Sequence, residues 1–466
     1  VSLLILALKL VCYPHPFLAV DTFQYLDSAV HLKTNVYRPI GYSIFLASAH
    51  FLRSSPVLVV VLQHLLHAAA VLFLVSTLAD RRSCPGRGSL ILGLVLLLDP
   101  LPCFYSHWLL SDSLFNSILM TFAAAVVRHD RHPGWRWLAA AIVAAGTCAA
   151  LRHVGILCFP YLIVHLVLRG GRRFLPALGA CILGAGLILG GMAWKMKKDH
   201  GVFALGTFDG WALRGNVAQL IDCSPEYLEG MPQGHLRGLY SFFCDFPSET
   251  YGHKDTDWYR WNEESPAKQA VSYYTTKGYG YDESWIRVNA QLRMVGLDIL
   301  RHRPGRFLTT FVLPNLGHAF VPRIDPGALS YPRKEETNVI VRYYYGQDTR
   351  TWTARYEPFA RIAPGPRLWL PLLWLGAIAS WLRLMRAPSS EAEETRRAVV
   401  HIVGLSLVYV VVVAATHPFH LRYLTPVTSL LAAASGAGFL AGRSGSPGVR
   451  GECPSGTQGR SATPPA

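Results

Sequence analysis

Apolar residues gather into long runs separated by short polar stretches. Read in windows of about 20 residues, the length a helix needs to cross a bilayer, the runs fall near 1 to 13, 56 to 79, 89 to 105, 108 to 127, 137 to 151, 154 to 168, 174 to 194, 366 to 386, 398 to 416 and 424 to 442. About ten transmembrane helices are predicted. Several runs are shorter than about 18 residues, so the cations between them become the test, because Lys and Arg mark cytoplasmic loops. Arg81, Arg82 and Arg87, then Arg128, Arg131 and Arg136, then Arg169, Arg172 and Arg173, then Arg383, Arg386, Arg396 and Arg397, then Arg443 and Arg450 all fall on one side of such a topology. The opposite side receives Asp99, His107, Arg152 and HPFHLRY. The same parity makes residues 137 to 168 a hairpin turning at Arg152–His153. The third run is the weakest, interrupted by Asp99, Pro100 and Pro102.

Polar stretches divide the chain further. The first run opens at Val1, carries Lys9 and lacks a small-residue cleavage pattern, so a span missing its start is expected in preference to a signal peptide. Residues 14 to 55 form a first external loop, in which GYSIFLASAHFL (41 to 52) is too short to span and is predicted to lie on the membrane surface. The expected divisions are an N-terminal transmembrane module (1–194), an external cap (195–365), C-terminal transmembrane helices (366–442) and a disordered cytoplasmic tail (443–466) rich in Gly, Ser and Pro. Within the cap, RHRPGRFLTTFVLPNLGHAFVPR is predicted to be an amphipathic interfacial helix. The fold class is thus an all-α polytopic membrane protein with interfacial helices and an external α+β or irregular cap.

Composition agrees with this class: 51% of the 466 residues are hydrophobic and 16% charged, too greasy a balance for a soluble globule. The net charge of +15 is accounted for by cytoplasmic loops and lipid phosphates, so no nucleic-acid partner is expected. Of nine cysteines, only Cys223 and Cys244 share the external cap, where the compartment permits a disulfide, and a bridge between them is predicted. No CxxC or HExxH spacing indicates a zinc site. No GxxxxGK[ST] loop indicates a nucleotide site.

Ionisable groups at membrane depth are costly, which singles out Asp21, Asp99, Asp112, Arg152 and Arg422, all placed at external helix ends. Arginine forks match phosphate oxygens and a carboxylate can take a proton from an acceptor. Sugar transfer from a lipid phosphate needs both. In DTFQYLDSAVHLKTNVYRPIGYSIFLA the order of an Asp, a Tyr four residues later, a helix and RPIGY resembles the first external loop of the GT-C superfamily of polyprenyl-phosphate-sugar-dependent glycosyltransferases, which includes protein O-mannosyltransferases and lipid A aminoarabinose transferases. WLLSDSLFNSILM looks like the acidic motif of that superfamily, LRHVGILCFP like its Arg-bearing turn and FHLRYLTPV like its Arg-Tyr entry to a late helix. The resemblance covers about residues 1 to 195 and 400 to 440.

That resemblance implies an inverting glycosyltransferase acting on the external face of a bacterial inner membrane. Asp21 would be the catalytic base and Asp112 a second catalytic acid. Arg152 and Arg422 would hold the lipid phosphate, with Tyr25 and Arg38 also binding substrate. Asp27 is expected simply to face water. FDGWALRGN (208 to 216) is similar to a Gly-rich stretch of bacterial relatives. The implied partners are a polyprenyl-phosphate sugar donor, a glycan, lipid or protein acceptor, and membrane lipids. Some branches use a divalent metal held by several acids, but Asp21 and Asp112 would make a sparse site and no obligatory cofactor is expected. A transporter or flippase of polyprenyl-linked sugars and a noncatalytic assembly subunit are the alternatives, and His417 with His420 is a weaker metal candidate.

Overall fold

The computed structural model describes residues 1–79, 87–171, 174–231, 234–245, 256–321, 335–352, 366–386, 390–417 and 420–441, and every regular element among them is a helix. The expected α+β or irregular make-up of residues 195–365 is therefore corrected: the described part is helical. The tail from Arg443, together with Arg81, Arg82, Arg172, Arg173, Cys84 and Cys453, lies outside the described residues.

Each apolar run coincides with helix, with one break. The third run divides into Arg87–Leu97 and Pro100–Tyr105, because Pro100 has no N–H to continue the first helix and the Asp99 carboxylate caps the second, accepting from the Leu101 N–H at 3.2 Å. The predicted hairpin is also present. Trp135–Leu151 ends at Arg152, a 3₁₀ turn follows at His153–Leu157, and Cys158–Arg169 returns. The return is tight at Gly155, where a Cβ would lie 2.2 Å from the Cys148 carbonyl.

Among the described residues, three helices, Pro56–Leu78, Phe174–His200 and Ala392–Thr416, are long and apolar enough to cross a membrane by length and composition. This replaces the expected count of about ten. Ser2–Cys12, Gly41–Leu52, Arg87–Leu97, Trp135–Leu151 and His153–Arg169 are apolar but shorter. Ser111–Arg131 has the length but carries Ser111, Asp112, Ser113, Asn116 and Ser117, all buried inside the protein. It is the central rod, packed against Pro56–Leu78, Trp135–Leu151, Ser390–Thr416 and Thr425–Ala441, and its polar side chains meet protein instead of lipid: Asn116 donates to Ser429 Oγ at 3.2 Å. By contrast, Phe174–His200 exposes Leu175, Ile182, Leu183, Leu187 and Trp194.

A second core gathers Met196, Trp211, Val217, Tyr240, Phe243, Trp285, Val288 and Ile299, with Val36 from the first loop. Trp211 and Trp285 stack with centroids 3.8 Å apart, and a disulfide joins Cys223 to Cys244. The helix Asp209–Asn216 lies so close to Tyr281–His302 that a Cβ on Gly210 would meet the Asn289 carbonyl oxygen at 2.0 Å. The predicted interfacial helix runs as Pro304–Phe307, a π turn at Leu308–Val312 and Leu313–Phe320. It packs along Ser390–Thr416, with Asn315 donating to the Ala414 carbonyl at 3.3 Å. Ala319, Val341, Tyr345 and Trp352 belong to the first core, the one built around the central helix with its Leu114, Phe115, Leu119 and Phe122.

Candidate functional site

The site lies where the two cores meet, and its first acid is held by local chain geometry. Phe17 accepts from the Leu109 N–H at 3.0 Å and donates to the His107 carbonyl at 2.9 Å. The Thr22 hydroxyl accepts from the Ala19 N–H at 2.9 Å and donates to the Leu109 carbonyl at 3.1 Å, pinning the start of Val20–His31. Asp21 thus occupies the first turn, where the helix dipole favours a negative charge. The helix stops at Leu32 in the left-handed region (φ +48°) and the following loop doubles back. That return brings Arg38 Nη2 to 2.6 Å from Asp21 Oδ1, while Arg38 Nε donates to Gln24 at 3.3 Å.

From the far end of the chain, Arg422 Nη1 reaches the other Asp21 oxygen at 2.9 Å. Burial raises the proton affinity of Asp21, but the two guanidiniums outweigh it and hold the carboxyl down at about 2. Asp112, in the first turn of the central helix, pairs with Arg152 at the hairpin turn. Arg152 also lies over the Tyr423 ring at 4.8 Å, and Arg422 over the same ring at 5.4 Å. Tyr25 hydrogen-bonds Ser111 at 2.9 Å and packs edge-on to Tyr42.

Tyr25, Arg38, Arg152 and Arg422 line a cavity of about 60 Å³, and Asp21 and Asp112 are bound to its arginines. Asp99 does not join them. It is buried elsewhere, accepting from the Thr428 hydroxyl at 2.8 Å and capping Pro100–Tyr105, so its expected place among the converging ionisable groups is corrected. Its carboxyl group is met by the Thr428 and Ser429 hydroxyls and a backbone N–H, which is a structural role. Asp27 is half exposed, 3.7 Å from His31.

The second core supplies residues that the sequence did not single out: Asp257, Arg260 and Trp261 line the cavity with Phe208, His153, His417 and His420. Asp257 pairs with His420 at 3.0 Å. Arg260 is buried, donating to the carbonyls of Ala212 at 3.2 Å and Thr416 at 3.1 Å and to the Asn216 side chain. Of FDGWALRGN, Phe208 reaches the cavity and the glycines serve packing, since a Cβ on Gly215 would meet Arg260 Cγ at 2.7 Å.

No family profile, curated protein or solved structure matches the chain. The chemistry therefore follows from the charges themselves. Burial, helped by Arg38, lowers His153 to about 4, and burial with Arg260, Arg152 and Arg422 keeps His417 well below the ordinary imidazole range. Both rings are neutral at physiological pH. Four arginines (38, 152, 260 and 422) then face three carboxylates (Asp21, Asp112 and Asp257), leaving a local surplus of positive charge. Such a site favours an anion whose oxygens can take the guanidinium forks.

Proposed function

We propose that the chain is a multi-pass membrane glycosyltransferase that moves a sugar, with inversion, from a polyprenyl phosphate to an acceptor hydroxyl at the external face of a bacterial inner membrane. The observation that carries this reading is the meeting of Asp21, Arg38, Arg152 and Arg422, from three separate parts of the chain, around one cavity. The motif resemblance to the GT-C superfamily supports it from the sequence. Topology lends support as well. Asp112 and Asp130 are 18 residues apart on the central helix, about 27 Å along its axis, close to the roughly 30 Å of a bilayer core. Both ends bear polar clusters, as a helix with its ends at two interfaces requires.

The acceptor oxygen attacks the anomeric carbon, the carbon–oxygen bond to the polyprenyl phosphate breaks, and the electron pair leaves on the phosphate. The acceptor proton passes to Asp21. A carboxylate clamped by two arginines is a poor base, since efficient proton transfer needs a pKa nearer the working pH. The donor phosphate relieves this by drawing Arg38 and Arg422 to its own oxygens, which raises the proton affinity of Asp21 once donor is bound. Donor therefore binds before acceptor. A cavity of about 60 Å³ is smaller than a sugar phosphate needs, so donor entry requires the lining side chains to move apart.

The test is purified protein in detergent with a polyprenyl-phosphate sugar pool and candidate acceptors. Release of free polyprenyl phosphate, dependent on acceptor and on no membrane gradient, is expected. Movement of intact lipid-linked sugar across a liposome bilayer with no release would instead make the chain a transporter.

A further inference from the structure

At the other end of the central helix is a second cluster with different chemistry. Asp130 and His129 close Ser111–Arg131, His165 comes from the last turns of Cys158–Arg169, and His401 from Ser390–Thr416. One ligand atom from each of Asp130, His165 and His401 lies within 4.8 Å of the others. His129 Nδ1 is 3.2 Å from His165 Nε2, close to the roughly 3.3 Å edge of a tetrahedron built on zinc–nitrogen bonds of about 2.0 Å. The His165 and His401 rings meet edge to face at 4.8 Å.

We propose that Asp130, His165 and His401, with His129 as fourth donor, bind a divalent transition metal of the zinc class. Imidazoles with one carboxylate suit such ions, and closing the three-residue group needs up to about 1.5 Å of approach between ligand atoms. The surroundings supply outer partners of the kind that orient metal ligands. Tyr161 Oη is 3.4 Å from His401 Nδ1, which leaves Nε2 for the ion. Arg169 donates to Asp130 Oδ1 at 3.2 Å, and Arg397 stands 3.8 Å from Oδ2. A cavity of about 370 Å³, lined by His129, Trp135, Arg169 and Phe174 among others, opens beside the cluster and gives the ion a path. The ion would tie three helices distant in sequence at one end of the bundle. This site is independent of the proposed transferase reaction, being about 27 Å from Asp112 along the central helix.

The full chain in detergent, stripped with EDTA, is titrated with Co²⁺. The expected result is visible bands of four-coordinate Co²⁺ saturating at one equivalent and abolished by Zn²⁺. His165→Ala and His401→Gln should each weaken binding at least tenfold, while the exposed His302→Ala leaves it unchanged. If either variant elutes as aggregate, Asp130→Asn, which keeps the side-chain size, carries the same expectation. Absence of saturable bands in the parent chain, bands of thiolate–cobalt type, or equal affinity in the folded variants would overturn the proposal and leave a histidine pair beside an arginine–aspartate network.

Discussion

Asp21 carries two separable properties, reactivity and charge pairing. Asp21→Asn keeps the size and one acceptor oxygen but removes the base, so turnover is expected to fall by about 10²- to 10⁴-fold while the helical circular dichroism is retained. Its pairing has a pH signature. Because the folded carboxyl is lowered from 3.8 to about 2, its stabilisation is present in full above pH 3.8 and is lost as pH falls through 2, an effect on the order of 2 kcal/mol. Unfolding midpoints between pH 2 and 5 should decline less steeply in Asp21→Asn than in the parent, and identical slopes would show that the two arginines do not hold it. Asp112 and Arg152 make a more deeply buried pair. Removing one partner leaves an uncompensated charge, costing about 3–5 kcal/mol, so Asp112→Asn alone should unfold earlier than the double variant Asp112→Asn/Arg152→Gln.

The hairpin is the element on which the site depends, because it delivers Arg152 and His153 to the cavity. Its tightness rests on Gly155, whose missing side chain lets the returning backbone touch the Cys148 carbonyl. Gly155→Ala is expected to lower thermal stability by about 1–3 kcal/mol through overpacking, and to reduce activity beyond what the stability loss explains, because the turn displaces Arg152. An unchanged melting curve would mean that the hairpin relaxes without strain. Polarity within elements also has a reason here. The central helix tolerates serine and asparagine because other helices sheath it, whereas Phe174–His200, exposed along much of its length, is almost wholly apolar until Lys195.

Across the molecule, the second core takes in the first loop through the Thr207 N–H, 2.7 Å from the Val36 carbonyl, and meets the end of Ser390–Thr416 through Arg260 and Asn216, each 3.1 Å from the Thr416 carbonyl. Its integrity leans on the Cys223–Cys244 bridge, which spans 21 residues and on chain-entropy grounds is worth about 3 kcal/mol. Reduction is expected to lower the unfolding midpoint of this region first, read by Trp211 and Trp285 fluorescence. In intact cells, a membrane-impermeant thiol reagent should label Cys223 and Cys244 after mild reduction. Labelling only after permeabilisation would place the region on the cytoplasmic side and reverse the proposed topology.

Helix positions, the hairpin turn and the broken third run were legible in the sequence because hydropathy, proline and capping act over a few residues. Asp21, Arg38 and Tyr25 were legible for the same reason, lying in one loop with a recognisable order. The sequence by itself also determined that polar groups would sit at helix ends. Which ends meet was decided only in three dimensions: the Asp21–Arg422 contact joins residues 401 apart, Asp99 turned inward to two hydroxyls, and Asp257 and Arg260 arrived from a region whose aromatic and charged residues have no periodicity to orient them. The ligands of the proposed metal site are likewise scattered over three helices, with no spacing motif to betray them. Hydropathy is a sum over neighbours along the chain, whereas a charge is stabilised by whatever the packed helices bring within a few ångströms, and that is set by the packing of the whole bundle.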